Sequence, residues 1–153
     1  MSGKRKMTIE TDSQDETRNI GKIIGQQLQA GDVVCLTGDL GVGKTVLVQG
    51  VAEGLGIEED ICSPTFTLIQ EYYEGRLPLY HFDVYRISNY SDMDELGYEE
   101  YFYGNGVCLV EWGDLVSELF PENTIYITIE KDLLKGFDYR KITISKDFDI
   151  KRD

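Results

Sequence analysis

A chain of 153 residues with 28 acidic against 15 basic side chains, a formal net charge of −13, lacks the basic face on which direct gripping of nucleic acid depends. That charge favours solubility or a basic protein partner. No apolar run approaches the ~18 residues of a membrane span, and no signal-peptide core follows Met1. Cys35, Cys62 and Cys108 show no metal-ligand spacing, so they read as reduced thiols in a cytoplasmic protein. The length predicts one domain over residues 1–153, with loose ends at 1–6 and 147–153.

In chain order, residues 7–11 alternate weakly as a first strand. Ser13-Gln14-Asp15-Glu16 reads as a capping box opening a helix whose apolar face is Ile20, Ile23, Ile24 and Leu28, with Gly31 at its C-terminal turn. Val33-Val34-Cys35-Leu36 is a short apolar run, as a buried strand requires. It leads directly into Gly38-Asp39-Leu40-Gly41-Val42-Gly43-Lys44-Thr45, which fits GxxxxGK(S/T), the phosphate-cradling loop. Leu47, Val51 and Leu55 follow at i, i+4 and i+8, one face of a helix ending near residues 54–56. Strand, glycine loop and helix together supply the context that the motif needs. Glycines let backbone amides curl around an anion, and the helix N-terminus adds its positive dipole end. Lys44 is expected at the β- and γ-phosphates and the Thr45 hydroxyl on Mg²⁺. Gly50 and Gly54 cost the helix about 1 kcal/mol each relative to alanine, and close packing on the sheet is the expected compensation.

Beyond a polar connection and Ser63-Pro64-Thr65-Phe66, residues 67–73 and 77–85 read as two strands joined across Glu74-Gly75-Arg76. Period 2 puts His81, Asp83 and Tyr85 on one face and Tyr80, Phe82 and Val84 on the other. Residues 89–95 read as an acidic loop and 96–102 as a short helix. Val107-Cys108-Leu109-Val110 is a second apolar strand that runs into Glu111-Trp112. A short helix around 115–119 stops at Pro121, and residues 124–130 and 140–144 alternate as an antiparallel edge pair. The sum is a three-layer α/β, P-loop nucleotidase-like domain with a mixed, mainly parallel central sheet and antiparallel edge strands.

A phosphate loop needs an acidic residue on a neighbouring strand to hold Mg²⁺. Glu111 ends an apolar strand where α/β sheets place ligands, and Asp83 is the second candidate. The Ser63–Thr65 hydroxyls are placed to sense a γ-phosphate as switch segments do, or else build a Ser-Pro turn. His81, the single histidine, reads as hydrogen-bonded structure more readily than as a catalyst. Trp112 is equally core or a contact beside the site. Arg86 is a candidate for positive charge on a transition state, though such arginines mostly make surface ion pairs. No NKxD motif for guanine is present, which points to ATP. A small-molecule kinase would carry an arginine-rich lid, whereas Arg5, Arg18, Arg76, Arg86, Arg140 and Arg152 are scattered. A nucleotide-dependent protein-binding module is the further alternative.

Taken together, the Gly38–Thr45 loop, Ser63-Pro64-Thr65-Phe66, His81-Phe82-Asp83-Val84-Tyr85-Arg86, Glu95-Leu96-Gly97 with Glu99-Glu100-Tyr101-Phe102, and Leu109-Val110-Glu111-Trp112 resemble the bacterial TsaE (YjeE/YdiB) family. Val42 departs from the alanine usual there, at a position where only the backbone matters. The resemblance implies an ATPase that assists formation of threonylcarbamoyladenosine in tRNA, acting with the proteins TsaB and TsaD, with tRNA reached indirectly through that complex. It assigns Lys44 to phosphates, Thr45 and Glu111 to Mg²⁺, Asp83 to hydrolysis, Ser63–Phe66 to a switch-like segment and Trp112 to the site's margin. It also places adenine toward Thr11 and Ser13 and toward a late loop at Gly136.

Overall fold

The computed structural model describes residues 6–38, 44–61, 69–84 and 90–150. Its elements are β1 (Met7–Thr11), α1 (Gln14–Gln27), β2 (Val33–Thr37), α2 (Lys44–Gly54), β3 (Ile69–Tyr72), β4 (Leu79–Asp83), α3 (Tyr90–Leu96), α4 (Tyr98–Phe102), β5 (Val107–Glu111), a 3₁₀ segment (Gly113–Leu119), β6 (Ile125–Lys131) and β7 (Arg140–Ile144). One sheet carries all seven strands in the order β1-β7-β6-β2-β5-β4-β3. The inner strands β6, β2, β5 and β4 run parallel, while β1, β7 and β3 pair antiparallel. β5 is buried along its full length, as a strand covered on both faces should be.

Alternation along the strands divides the core in two. Val34, Leu36, Leu79, Leu109, Ile127 and Ile142 face α1 and α2. Val33, Phe82, Val84, Cys108 and Val110 face Met93 of α3, Phe102 of α4 and Val116 of the 3₁₀ segment. Helices thus cover both faces, as the three-layer expectation required. Cys35 and Cys108 are buried thiols outside any disulfide, and burial pushes the Cys108 thiol up to about 12. Among the described residues no helix is long and apolar enough to cross a membrane.

The predicted cap forms, with its return bond shifted by one residue: the Glu16 amide donates to Ser13 Oγ at 3.1 Å, while Glu16 Oε1 accepts from the amide of Asp12, just before the cap, at 2.6 Å. At the other end, α1 stops at Gln27 and not at the glycine. Leu28 caps it in an extended conformation, and Gly31 (φ 89°) turns the chain into β2. The hairpin's Arg76 reaches across to this end, its guanidinium donating to the carbonyls of Gly25 and Leu28 at 2.8 and 2.7 Å. Those are orphan carbonyls of the last turn, and a cation suits them.

Four expectations are corrected. Gly50 and Gly54 pack against α1, not against the sheet. A methyl group at Gly50 would collide with the Arg18 carbonyl, one at Gly54 with that of Lys22, one at Gly21 with that of Leu47 and one at Gly25 with that of Val51. Two glycine-xxx-glycine faces therefore let α1 and α2 touch backbone to backbone. Residues 90–95 of the segment read as an acidic loop (89–95) form α3 together with Leu96, because Met93 and Leu96 give the acidic segment an apolar side to bury. Strands β6 and β7 are not the sheet's edge: β6 lies beside β2, and β1 covers β7. The end is not loose as far as Ile150. Phe148 is buried, and Gln27 Nε2 donates to the Asp149 carbonyl while the Asp149 amide donates back to Gln27 Oε1.

Candidate functional site

The C-terminal ends of β2, β5 and β4 converge on the N-terminus of α2. In α/β sheets ligands bind at this end of the strands. Register sets the positions: Leu36 of β2 lies opposite Glu111 of β5, and Glu111 lies opposite Asp83 of β4. His81, two residues before Asp83, shares its face and lies opposite Leu109. Period 2 therefore delivers Asp83, His81 and Glu111 to the side of the sheet that α2 covers.

Lys44 opens α2 and is only 7% exposed. Its ammonium donates to the Gly38 carbonyl at 2.8 Å and lies 3.8 Å from the ring centroid of Trp112. Among the described residues no carboxylate pairs with it within ion-pair distance. A buried ammonium held by one carbonyl and an aromatic face is incompletely compensated for its lost water. Trp112 is half-buried and sits in the left-handed region (φ 62°), its amide donating to the Leu36 carbonyl at 3.3 Å. A non-glycine residue there costs about 1–2 kcal/mol, and the turn it makes directs the indole toward Lys44. Trp112 also packs against the core cluster of Phe82, Cys108 and Val110, so it fills both roles that the sequence left open, core and neighbour of Lys44.

Glu111 is 5% exposed and His81 1%. The imidazole Nε2 approaches Glu111 Oε2 at 2.5 Å, while His81 Nδ1 is buried and finds no hydrogen-bond partner among the described residues. Asp83 is partly exposed beside this pair, and Thr45 is exposed on the first turn of α2. Among the described residues no three His, Cys, Asp or Glu side chains cluster as a metal cage. A Mg²⁺ ion bound mainly by water and phosphates needs only one or two protein oxygens, and the Thr45 hydroxyl and Glu111 carboxylate supply suitable donors.

At the far side, the segment before α1 meets the β6–β7 loop. Thr11 lies opposite Arg140, and Lys135 Nζ is 3.9 Å from Glu10 Oε1. Ser13 is committed to capping α1, and the fully buried Thr11 hydroxyl bonds that of Thr17 at 2.7 Å. Gly136 adopts φ 140° in the loop itself. The strand that leads to Ser13 and the loop that carries Gly136 are thus adjacent. Of the other predicted residues, Asp39, Leu40, Gly41, Val42, Gly43, Ser63, Pro64, Thr65, Phe66 and Arg86 lie outside the described residues. What sequence reading missed is the bond between His81 and Glu111; the shared face of His81 and Asp83 was the available signal.

A mixed sheet whose parallel centre leads from β2 through a GxxxxGKT segment into a helix, with acidic residues ending the two next strands, defines a P-loop-like α/β protein. Comparison with known proteins narrows the class. A family model described as "Threonylcarbamoyl adenosine biosynthesis protein TsaE" matches residues 11–142. The tRNA threonylcarbamoyladenosine biosynthesis protein TsaE of Bacillus subtilis (strain 168) is 49% identical over 131 residues, 86% of this chain and 80% of that protein. Its namesake from Treponema pallidum (strain Nichols) is 48% identical over 117 residues, 76% of this chain and 86% of its own. The crystal structure of Bacillus subtilis YdiB superposes with a TM-score of 0.77 at 41% identity, covering 94% of this chain and 87% of that one. The chain belongs to the TsaE family.

Proposed function

We propose that this chain binds and hydrolyses ATP with Mg²⁺, and that it does so as an accessory subunit in the threonylcarbamoylation of adenosine in tRNA, acting with TsaB and TsaD in the cytoplasm. The observation that carries the nucleotide reading is Lys44: a buried ammonium, without a carboxylate among the described residues, at the mouth of a phosphate-loop sequence. The names of the relatives carry the pathway.

In this reading Lys44 exchanges the Gly38 carbonyl for a phosphate oxygen, and unpaired amides of the first turn of α2 face the same anion. Residues 38–45 wrap the phosphates, so Gly38, Asp39, Leu40, Gly41, Val42 and Gly43 act through their backbones. Thr45 and Glu111 hold the Mg²⁺, whose charge offsets that developing on the transferred phosphoryl group. Asp83, on the strand beside Glu111, orients the attacking water. The base lies toward residues 11–13 and Gly136, where Thr11 and Ser13 shape the wall through their structural bonds. Ser63, Pro64, Thr65 and Phe66 report the state of the nucleotide to the partners. With a net charge of −13, the chain leaves tRNA to the proteins it meets.

The test is ADP release in a reconstituted mixture of this chain, TsaB, TsaD, threonylcarbamoyl-adenylate, tRNA and Mg²⁺-ATP. ADP is expected in step with modified tRNA. Stoichiometric phosphorylation of a metabolite would instead assign a kinase.

A further inference from the structure

The His81 imidazole is almost fully buried, yet its described polar contacts amount to one: Nε2 on Glu111 Oε2. Nδ1 has no partner among the described residues. As packing, this is a poor choice. An apolar side chain at this position, opposite Leu109, would bury no nitrogen left without a partner among the described residues. The ring's polarity is therefore explained by its effect on Glu111. A carboxylate at a strand end turns about its side-chain torsions and offers either oxygen. With the Nε2–H donating to Oε2 from the neighbouring strand, the carboxylate plane is held and Oε1 is the oxygen left uncommitted by this bond. The placement is built into the sheet. His81 is two residues upstream of the residue opposite Glu111, so the β4–β5 register sets the reach of the imidazole.

We propose that His81 is a positioning residue, holding one oxygen of Glu111 so that the other is presented to the Mg²⁺ of the bound nucleotide. This rests on the nucleotide reading above. Partners that orient a metal ligand in this way typically change metal affinity by about 10–100-fold when removed.

Because His81 is the single histidine in the chain, its ring signals in a nitrogen-15 NMR spectrum are unambiguous. The wild-type protein should show an Nε2–H signal protected from exchange, lost in Glu111→Ala and shifted by ADP with Mg²⁺ but not by ADP with EDTA. Amide signals of α2 report nucleotide binding separately. If they move with ADP and Mg²⁺ while the His81 ring does not, the positioning role is wrong and the nucleotide reading stands. If neither moves, both fail. In variants, the Mg²⁺ concentration giving half-maximal binding of a fluorescent ATP analogue should rise about tenfold in His81→Leu. Affinity in EDTA should be unchanged, and His81→Gln, whose amide can donate to Oε2, should restore most of the metal response. Equal loss in the Leu and Gln variants, or none in the Leu variant, would overturn the proposal. Should His81→Leu not fold, the wild-type ring signal still decides.

Discussion

Lys44, Asp83 and Glu111 each meet the site in a different way, and their substitutions should separate accordingly. Lys44 spans the Gly38 carbonyl and the Trp112 face, and under the proposed function Lys44→Ala removes a contact to phosphate in ground and transition states alike. It should weaken ATP binding as well as hydrolysis. Asp83→Asn and Glu111→Gln keep shape and change charge, and should lower kcat by about 100-fold, the scale for losing one well-placed electrostatic group. Nucleotide binding without metal should be nearly unchanged in both, with folding checked by circular dichroism. Normal turnover in either would remove that residue from the site. Much of this was legible from residue types: GxxxxGKT announces its own chemistry, and strand-terminal carboxylates beside it are few. The His81–Glu111 bond was not, because it depends on which strand lies next to β5. Strand order is a long-range property that period 2 within one strand does not contain.

At the scale of elements, α1 and α2 behave as one unit. Their glycines permit a backbone approach that any side chain would prevent. Gly25→Ala gains about 1 kcal/mol of helix propensity, yet its methyl would meet the Val51 carbonyl in backbone that has little room to give. Overpacking of about 1–3 kcal/mol should win, and denaturant titration should show a lower midpoint at unchanged slope. The same helices are stapled by Arg18 and Glu53. Hydrogen bonding to Arg18 holds the Glu53 carboxyl below its usual range, and Arg18 is raised in turn. A depressed carboxyl contributes stability above its unfolded pKa and loses it as pH falls through the folded value. Melting curves of the wild type should therefore fall more steeply with acidification than those of Arg18→Gln; parallel curves would show the pair to be inert. Helix periodicity revealed α1 and α2, but it gave no sign that their glycines face each other. The loop reading of residues 89–95 failed for a related reason. The segment's acidic residues hide a helix whose stability comes from burying Met93 and Leu96 on a sheet face.

On the scale of the whole molecule, two surface features stand out. The surface is strongly acidic, and the β6–β7 loop exposes Leu133, Leu134 and Phe137. Both agree with the proposed work against other proteins, with the C-terminal ends of the parallel strands and the acidic helices α3 and α4 on one framework. Three-layer architecture was readable because strand-type and helix-type patterns alternate along the chain, and β5 and β2 read as buried on both faces. Whether nucleotide turnover by this chain sustains tRNA modification by the partner proteins, as proposed, is read from the amount of threonylcarbamoyladenosine formed per TsaD molecule in the reconstituted mixture, with and without this chain. Many modified tRNAs per TsaD with the chain present, and about one or fewer without it or with Asp83→Asn, is the predicted result. Equal multi-turnover modification when the chain is left out would contradict the account.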